Sequence, residues 1–317
     1  MKPSRTRLLL VVGMLLLLAG PRPGAAANAL GPDMPNLDEF VVYSAPGAGG
    51  GPASAASKLW PETPRHGLND DGLIGHFAGA TADKLAWSRM FFAWRYKFHS
   101  LNSHLGETFR GNDKGWVHTF QAAVNYLGEW AEWAVVVPVH QYLLEAPRTF
   151  SAPVQEDTGL GDMKLALKFT YLPDRSYYRF AYGAVVTTTT GHPDRLRPTG
   201  VRGDGELKVF GAVTTRETAR AALNLELGEI MSARGDHNRF HYRIGMSWEA
   251  GTYTSLITEF AGEVEGGDDR DTLDWILGAR LAPSRLTVLE LSYTKNLRTY
   301  REFGYDEELS LGMTIRW

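Results

Sequence analysis

The stretch "LSLGMTIRW", Leu309–Trp317, alternates strictly between apolar residues and small or polar ones. Successive side chains of a β-strand point to opposite faces of a sheet, so period-two alternation predicts a strand with one apolar face and one polar face. The predicted apolar face carries Leu309, Leu311, Met313, Ile315 and Trp317. Whether the rest of the chain repeats this pattern decides the fold.

The alternation recurs along most of the chain. It predicts twelve strands, at approximately 89–99, 116–127, 131–142, 160–172, 177–189, 205–215, 219–230, 239–250, 252–263, 271–282, 285–296 and 305–317. The gaps after the odd-numbered segments are long, whereas those after the even-numbered segments are tight turns. Long loops at one end and short turns at the other are typical of a transmembrane β-barrel. We therefore predict an all-β, up-and-down antiparallel transmembrane barrel of about twelve strands.

A soluble β-sandwich also alternates, but two features favour a membrane barrel. Each segment is long enough to cross an apolar layer of roughly 25 Å when tilted, and aromatic residues recur near the segment ends. Two segments fit less well. Pro138 cannot donate to a β-ladder, so we expect a bulge or a strand end there. The segment at 252–263 alternates less cleanly, which leaves its facing open.

The beginning of the chain has the features of a secretory signal peptide. Lys2, Arg5 and Arg7 precede an apolar run at 8–20, and small residues offer cleavage near Ala27 or Ala29. We expect a signal peptide at 1–27, with an uncleaved anchor as the alternative. Residues 28–85 are predicted to form a poorly structured N-terminal periplasmic or linker segment, rich in Gly, Ala, Pro and Ser at 44–57. The barrel is predicted to span 86–317.

The polar faces of the predicted strands carry charges of both signs, and these would line the lumen. The lumen-lining candidates are Arg95, Lys97, Glu132, Asp162, Lys164, Lys168, Arg179, Glu206, Lys208, Arg220, Glu226, Arg243, Asp274 and Arg280. The charges could form an ion-pair network that packs the lumen, or they could line a path for a polar solute. Eight-stranded barrels are filled by side chains and sixteen-stranded ones hold water, so twelve strands leave both alternatives open.

Motifs for other chemistry are sparse. The sequence contains no GxSxG, HExxH or phosphate-loop motif and no cysteine, so we expect no catalytic residues, no metal and no cofactor. Lipid hydrolases on twelve-stranded barrels use a His/Ser pair on the lipid face, and "FHSLNSH" at 98–104 supplies both residue types without a recognisable spacing. The sequence has no basic patch interleaved with aromatic residues, so we expect no nucleic-acid partner.

Three stretches resemble the MetA-pathway phenol-degradation family of outer-membrane barrels. They are "TGLGDMKLALKFTYL" at 158–172, "GDGELKVFGAVT" at 203–214 and "YDEELSLGMTIRW" at 305–317. The resemblance covers residues 85–317 and implies uptake of aromatic or hydrophobic compounds. We therefore expect a porin-like channel or transporter-like barrel for passive passage of small solutes. The alternatives are a non-conducting structural or adhesion barrel and, third, an outer-membrane lipid-modifying enzyme.

The C-terminal strand also predicts the cellular location of the protein and its partners. Outer-membrane barrels show a C-terminal strand of this kind as the signal recognised by the insertion machinery. The candidate assembly signal here is Leu311, Met313, Ile315 and Trp317. We expect the outer membrane of a Gram-negative bacterium, with lipid, lipopolysaccharide, periplasmic chaperones and the insertion machinery as partners.

Overall fold

The computed structural model describes twelve ranges of the chain: 67–83, 90–101, 115–128, 131–144, 155–171, 178–191, 205–218, 220–233, 238–265, 271–284, 286–298 and 306–317. The expected signal peptide and its cleavage site near Ala27 or Ala29 lie outside these ranges. Within them, no helix is long and apolar enough to cross a membrane.

The described residues form fifteen strands. Two are short: β1 (Gly67–Leu68) and β2 (Ile74–Gly75). The others are β3 (Met90–Leu101), β4 (Gly115–Leu127), β5 (Ala131–Leu144), β6 (Gln155–Leu160), β7 (Lys164–Tyr171), β8 (Tyr178–Thr187), β9 (Glu206–Thr218), β10 (Ala221–Ser232), β11 (Arg239–Glu249), β12 (Thr254–Glu265), β13 (Thr272–Leu281), β14 (Thr287–Arg298) and β15 (Glu307–Arg316).

Strands β3 to β15 close into one antiparallel barrel. Each pairs with the next along the chain, except that β6 and β7 both pair with β5, and β15 pairs with β3, with Leu311 opposite Tyr96. The Trp317 N–H donates to the Met90 carbonyl at 2.8 Å, so the ladder continues past the end of β15. The wall has twelve strands because β6 and β7 lie end to end beside β5. This confirms the predicted all-β barrel and its strand count.

The interruption between β6 and β7 lies at the expected proline. On β5, Val136 pairs with Lys164 of β7, and Val139 pairs with Leu160 of β6. Three residues, 161–163, therefore face only two on β5, one of them Pro138. Proline has no N–H for the ladder. Its carbonyl still accepts the Gly161 N–H at 2.8 Å, so the predicted bulge is confirmed.

The two faces of the barrel wall differ as the alternation requires. The outer face carries large apolar side chains, among them Trp133 and Leu311, each half exposed. The inner face carries buried charged residues. Strand β12, whose facing the sequence left open, turns Leu256 and Phe260 outward and buries Glu259 inside. An apolar outer surface around a charged interior is the arrangement of a membrane-spanning barrel.

Residues 67–83 lie inside the barrel, and we call them the plug. The sequence assigned them to the N-terminal linker, because they show no period-two or helical repeat. In the structure every plug residue except Asp70 is buried. Strands β1 and β2 form a small hairpin, with Gly72 at a φ of 75°, a conformation that glycine adopts without strain. Small inward residues of the wall, such as Ala93 and Ala134, pack against its apolar side chains.

Candidate functional site: the plugged lumen

Buried carboxylates of the wall bind backbone N–H groups of the plug. Glu259 on β12 accepts the N–H of Ala78 at 2.9 Å and that of Gly79 at 2.6 Å. Glu226 on β10 accepts the N–H of Ala80 at 2.6 Å. Both carboxylates are fully buried. A buried N–H without a partner is costly, so these carboxylates take the place that a neighbouring strand would otherwise fill.

A buried ion pair holds the middle of the plug from another side. Glu132 on β5 accepts the N–H of Ile74, and it lies 2.5 Å from Lys168 on β7. Lys168 donates to the carbonyls of Ile74 and Thr81, each at 3.0 Å. Both charged residues are essentially inaccessible to solvent. The pair thus satisfies donors and acceptors of the plug at the same time.

The side chain of Asp70 meets two cations of β3. It lies 2.5 Å from the Arg95 guanidinium and 2.8 Å from Lys97 Nζ. Burial would raise the pKa of the Asp70 carboxyl, but the charges of Lys97 and Arg95 outweigh burial and hold this pKa well below its ordinary value. Asp70 is therefore anionic at neutral pH although it lies inside the barrel.

Asp71 makes a second set of ion pairs with the opposite part of the wall. Lys164 on β7 and Lys208 on β9 each lie 2.8 Å from its carboxylate, and Arg243 on β11 lies 3.7 Å away. Burial acts to raise the pKa of Asp71, and the charges of Lys164, Lys208 and Arg243 overcome it, so the pKa lies well below normal. Two adjacent plug carboxylates are thus paired with five wall cations.

Three wall carboxylates share these cations. Glu290 lies 2.9 Å from Arg95 and 2.7 Å from Arg280. Glu308 lies 3.2 Å from Lys97. The third carboxylate, Glu226, lies 2.8 Å from Lys208 and 3.1 Å from Arg243. Counting only direct ion pairs among the described residues, this network contains six wall cations and three wall carboxylates; Glu259 and Glu263 act on Arg243 from a greater distance. Asp70 and Asp71 offset two of the excess positive charges.

His76 lies in the plug in its neutral form. Burial, together with the nearby charge of Arg280, lowers the pKa of His76 to about 4. Arg280 donates to the His76 carbonyl at 3.0 Å, while Nδ1 of the ring has no hydrogen-bond partner within the described structure. Protonating this ring in place would put a positive charge beside a buried guanidinium.

A cavity of about 210 Å³ lies above the plug, and we call it the vestibule. Its outer rim includes Thr187, Glu206, Arg239 and Asp274, at ends of strands that lead into the long connections. Asp70, Asp71, Phe77 and Ala78 of the plug form its floor. The vestibule therefore extends from the plug to the strand ends that lead into the long connections.

Most of the predicted lumen residues contact the plug or its ion-pair partners. They are Arg95, Lys97, Glu132, Lys164, Lys168, Lys208, Glu226, Arg243 and Arg280. Two others line the vestibule, Glu206 and Asp274. The remaining three lie apart from this network. Arg179 is partly buried near the short-turn end, Asp162 accepts the Gly191 N–H at 2.9 Å beside the bulge, and Arg220 lies exposed in the turn before β10.

The predicted lumen candidates leave out several positions of the site, among them Asp70, Asp71 and Glu259. Asp70 and Asp71 lie in a segment without a repeating pattern, and Glu259 lies in the strand whose alternation is unclear. The His/Ser stretch at 98–104 also has an unexpected placement. His99 lies inside the barrel, 3.2 Å from Glu308, rather than on the lipid face. Ser103 and His104 lie outside the described residues.

A closed barrel of twelve antiparallel strands with an apolar outer face and a charged interior has the fold of a transmembrane β-barrel. Its fold is similar to the crystal structure of an outer membrane channel from Pseudomonas putida F1, with a TM-score of 0.61 and 13% identity over 76% of this chain and 100% of that one. That similarity confirms the predicted fold.

Two porin structures are more distant. The NanC porin matches 71% of this chain and 100% of its own at 8% identity and a TM-score of 0.48. The KdgM porin in complex with disordered oligogalacturonate matches 72% of this chain and 99% of its own at 6% identity and a TM-score of 0.46. No family model matches the sequence, and no curated protein does.

Proposed function

We propose that the protein is an outer-membrane channel for the passive passage of small solutes, and that the plug holds it closed. The observation that carries this proposal is how the lumen is filled. The inward positions next to the plug include small residues, among them Ala93, Ala123, Ala134 and Ala212, which leave room along the axis. A separate stretch of chain fills that room. A barrel with only a structural role could fill its lumen with larger side chains from the wall itself.

The contacts of the plug suit a segment that can leave. Besides its apolar contacts, it is attached through many hydrogen bonds and ion pairs, and water can replace these polar contacts when the plug is released. The net stability of a buried ion pair is small because desolvation offsets most of the attraction. The plug also joins the wall through the short stretch 84–89, so a released plug stays tethered at the short-turn end of the barrel.

The lining of the vestibule suits small solutes that have both polar and apolar parts. Charged groups surround it, and Phe77, Ile230 and Ile276 add apolar surface to its lining. The aromatic or hydrophobic compounds implied by the family resemblance would find contacts on that apolar surface. We place the protein in the outer membrane of a Gram-negative bacterium after signal-peptide removal. Lipid and lipopolysaccharide would contact its apolar outer face.

Single-channel conductance in planar bilayers tests the proposal. We expect the full-length protein to be mostly closed, and a variant that lacks the chain up to residue 83 to conduct steadily. Heat-modifiable migration in detergent gels, a property of folded barrels, verifies that the shortened protein is folded. A folded, plug-free barrel that neither conducts nor admits solutes into liposomes would refute the channel and favour a non-conducting structural barrel.

A further inference from the structure

The five cations around Asp70 and Asp71 belong to the barrel wall, so their positions do not depend on the plug. They project from four different strands, β3, β7, β9 and β11, so the rigid wall fixes their positions. The side chains of Arg95, Lys97 and Lys208 are nine-tenths or more buried. This burial belongs to the seated state; once the plug has left, the five cations face the vacated lumen, where the carboxylates of a solute can replace those of the plug.

Wall carboxylates provide only part of the anionic partners of these cations. Lys164 contacts the Asp71 carboxylate and the Asp70 carbonyl, and both belong to the plug. Arg95 and Lys97 each divide their ion pairs between Asp70 and one wall glutamate, and Arg95 also donates to the Leu68 carbonyl of the plug. When the plug leaves, the connected network keeps its six wall cations and three wall carboxylates. The open lumen therefore contains a localised excess of positive charge at the level of the plug carboxylates.

We infer that this cation cluster is a binding site for small solutes that carry two carboxylates, and that Asp70 and Asp71 occupy it in the closed channel as a tethered substitute for such a solute. The inference rests on the proposed channel function and adds the class of solute. Asp70 is about one-third exposed, and its carboxylate forms part of the vestibule floor. A solute in the vestibule therefore reaches the edge of the cluster before the plug has moved.

Competition for the same cations is the physical consequence. A dicarboxylate that binds the cluster stabilises the released plug and not the seated one. It shifts the seated–released equilibrium by mass action, as any ligand does that binds one state only. A neutral molecule of the same shape has no such differential affinity, so it leaves the seated–released equilibrium unchanged.

Labelling of a single cysteine measures release of the plug directly, because the natural sequence contains no cysteine. Thr81 is the suitable position. Its side chain is 1% exposed, and its hydroxyl has no hydrogen-bond partner in the described structure, so Thr81→Cys removes no bond. A bulky maleimide would react with this thiol only after the plug has left its seat.

The experiment measures the labelling rate of the full-length Thr81→Cys protein in detergent. Sodium succinate is compared with succinamide and with sodium chloride at equal ionic strength, because salt alone screens ion pairs. We expect succinate to accelerate labelling by about tenfold with saturation, equivalent to a shift of about 1.4 kcal/mol, and succinamide to leave the rate unchanged. The double variant Asp70→Asn/Asp71→Asn, which keeps side-chain shape, should label rapidly without succinate.

A second pair of variants separates the cluster from general electrostatics. Lys164→Gln/Lys208→Gln should raise the succinate concentration needed for half-maximal acceleration. The matched control is Arg239→Gln, which removes a vestibule cation paired with Glu206 and Glu263 rather than with the plug. Acceleration by succinate no greater than by chloride would overturn the inference. The channel proposal would stand in that case, because conductance of the plug-free barrel decides it independently.

Discussion

Replacing Glu259 by glutamine tests the way the plug is anchored. The carboxylate accepts two backbone N–H groups of the plug, at 2.9 Å and 2.6 Å, from a fully buried position. Glutamine has nearly the same shape but only one acceptor oxygen. One plug N–H therefore loses its acceptor and faces the amide NH₂ group instead.

The size of the effect follows from the bond that is lost. A hydrogen bond to a charged group contributes about 1.5–3 kcal/mol, and removal of the buried charge returns part of this by relieving desolvation. We take about 2 kcal/mol as the net weakening, which corresponds to about 30-fold in the seated–released equilibrium. Labelling of Thr81→Cys follows the released population when release and reseating are fast compared with labelling. We therefore expect Glu259→Gln to accelerate labelling by about 30-fold.

The control makes the same substitution at the barrel rim. Glu307 pairs with Lys295 at 2.6 Å, but both side chains are more than two-fifths exposed, and ion pairs of this kind contribute little. Glu307→Gln should leave the labelling rate unchanged. Equal rates in Glu259→Gln and the parent protein would refute the anchoring role of the carboxylate. A similar acceleration by Glu307→Gln would show that the assay reports loosening of the whole barrel.

Three further predictions concern the pH dependence of plug seating, assembly into the membrane and substitutions on the lipid-facing surface. The pKa of His76 is about 4 in the seated plug against an ordinary value of 6.5, so the released plug binds a proton that the seated plug excludes. The equilibrium between seated and released plug should shift towards release as the pH falls from about 6.5 to about 4, by at most about tenfold per pH unit. The Thr81→Cys labelling rate, measured relative to a reference thiol, should rise accordingly. His76→Gln should remove most of this pH dependence. Deleting Trp317 should reduce assembly into the outer membrane, measured by cell fractionation, more than it reduces folding in detergent; equal assembly would count against the signal. Leu291→Arg on the outer face should lower folding stability in lipid by about 2–4 kcal/mol in urea titrations, whereas Leu291→Ala should cost less.

The wall could be predicted from the sequence because each strand has its own period-two pattern, independent of its neighbours. In β15 the apolar side chains of Leu309 and Leu311 face outward, while Ser310 is buried. One polar face and one apolar face per strand define the inside and the outside of a barrel in lipid. Pairing of consecutive strands then leaves one way to close the sheet. Even the bulge followed from a local property, the missing N–H of Pro138.

The plug could not be predicted because none of its signals is local. Its seventeen residues contain glycine, alanine and a few scattered apolar residues, a composition that a linker shares. Asp70 and Asp71 look like solvated charges in the sequence, and only contacts with β3, β7, β9 and β11 show that they are paired. Glu259 was missed for a related reason, because Thr258 and Glu259 give β12 a polar residue on each face.

The charges of the plug explain how a buried segment can remain releasable. A plug attached by apolar side chains alone would expose all of that surface to water on leaving, at about 25 cal/mol for each Å². The carboxylates of Asp70 and Asp71 regain hydration when they leave, so release returns part of what their burial cost. The wall cations stay in place and face the vacated lumen, where anions that enter can pair with them. Release is thus favoured by the same anions that the open wall binds, which couples opening to the presence of solute.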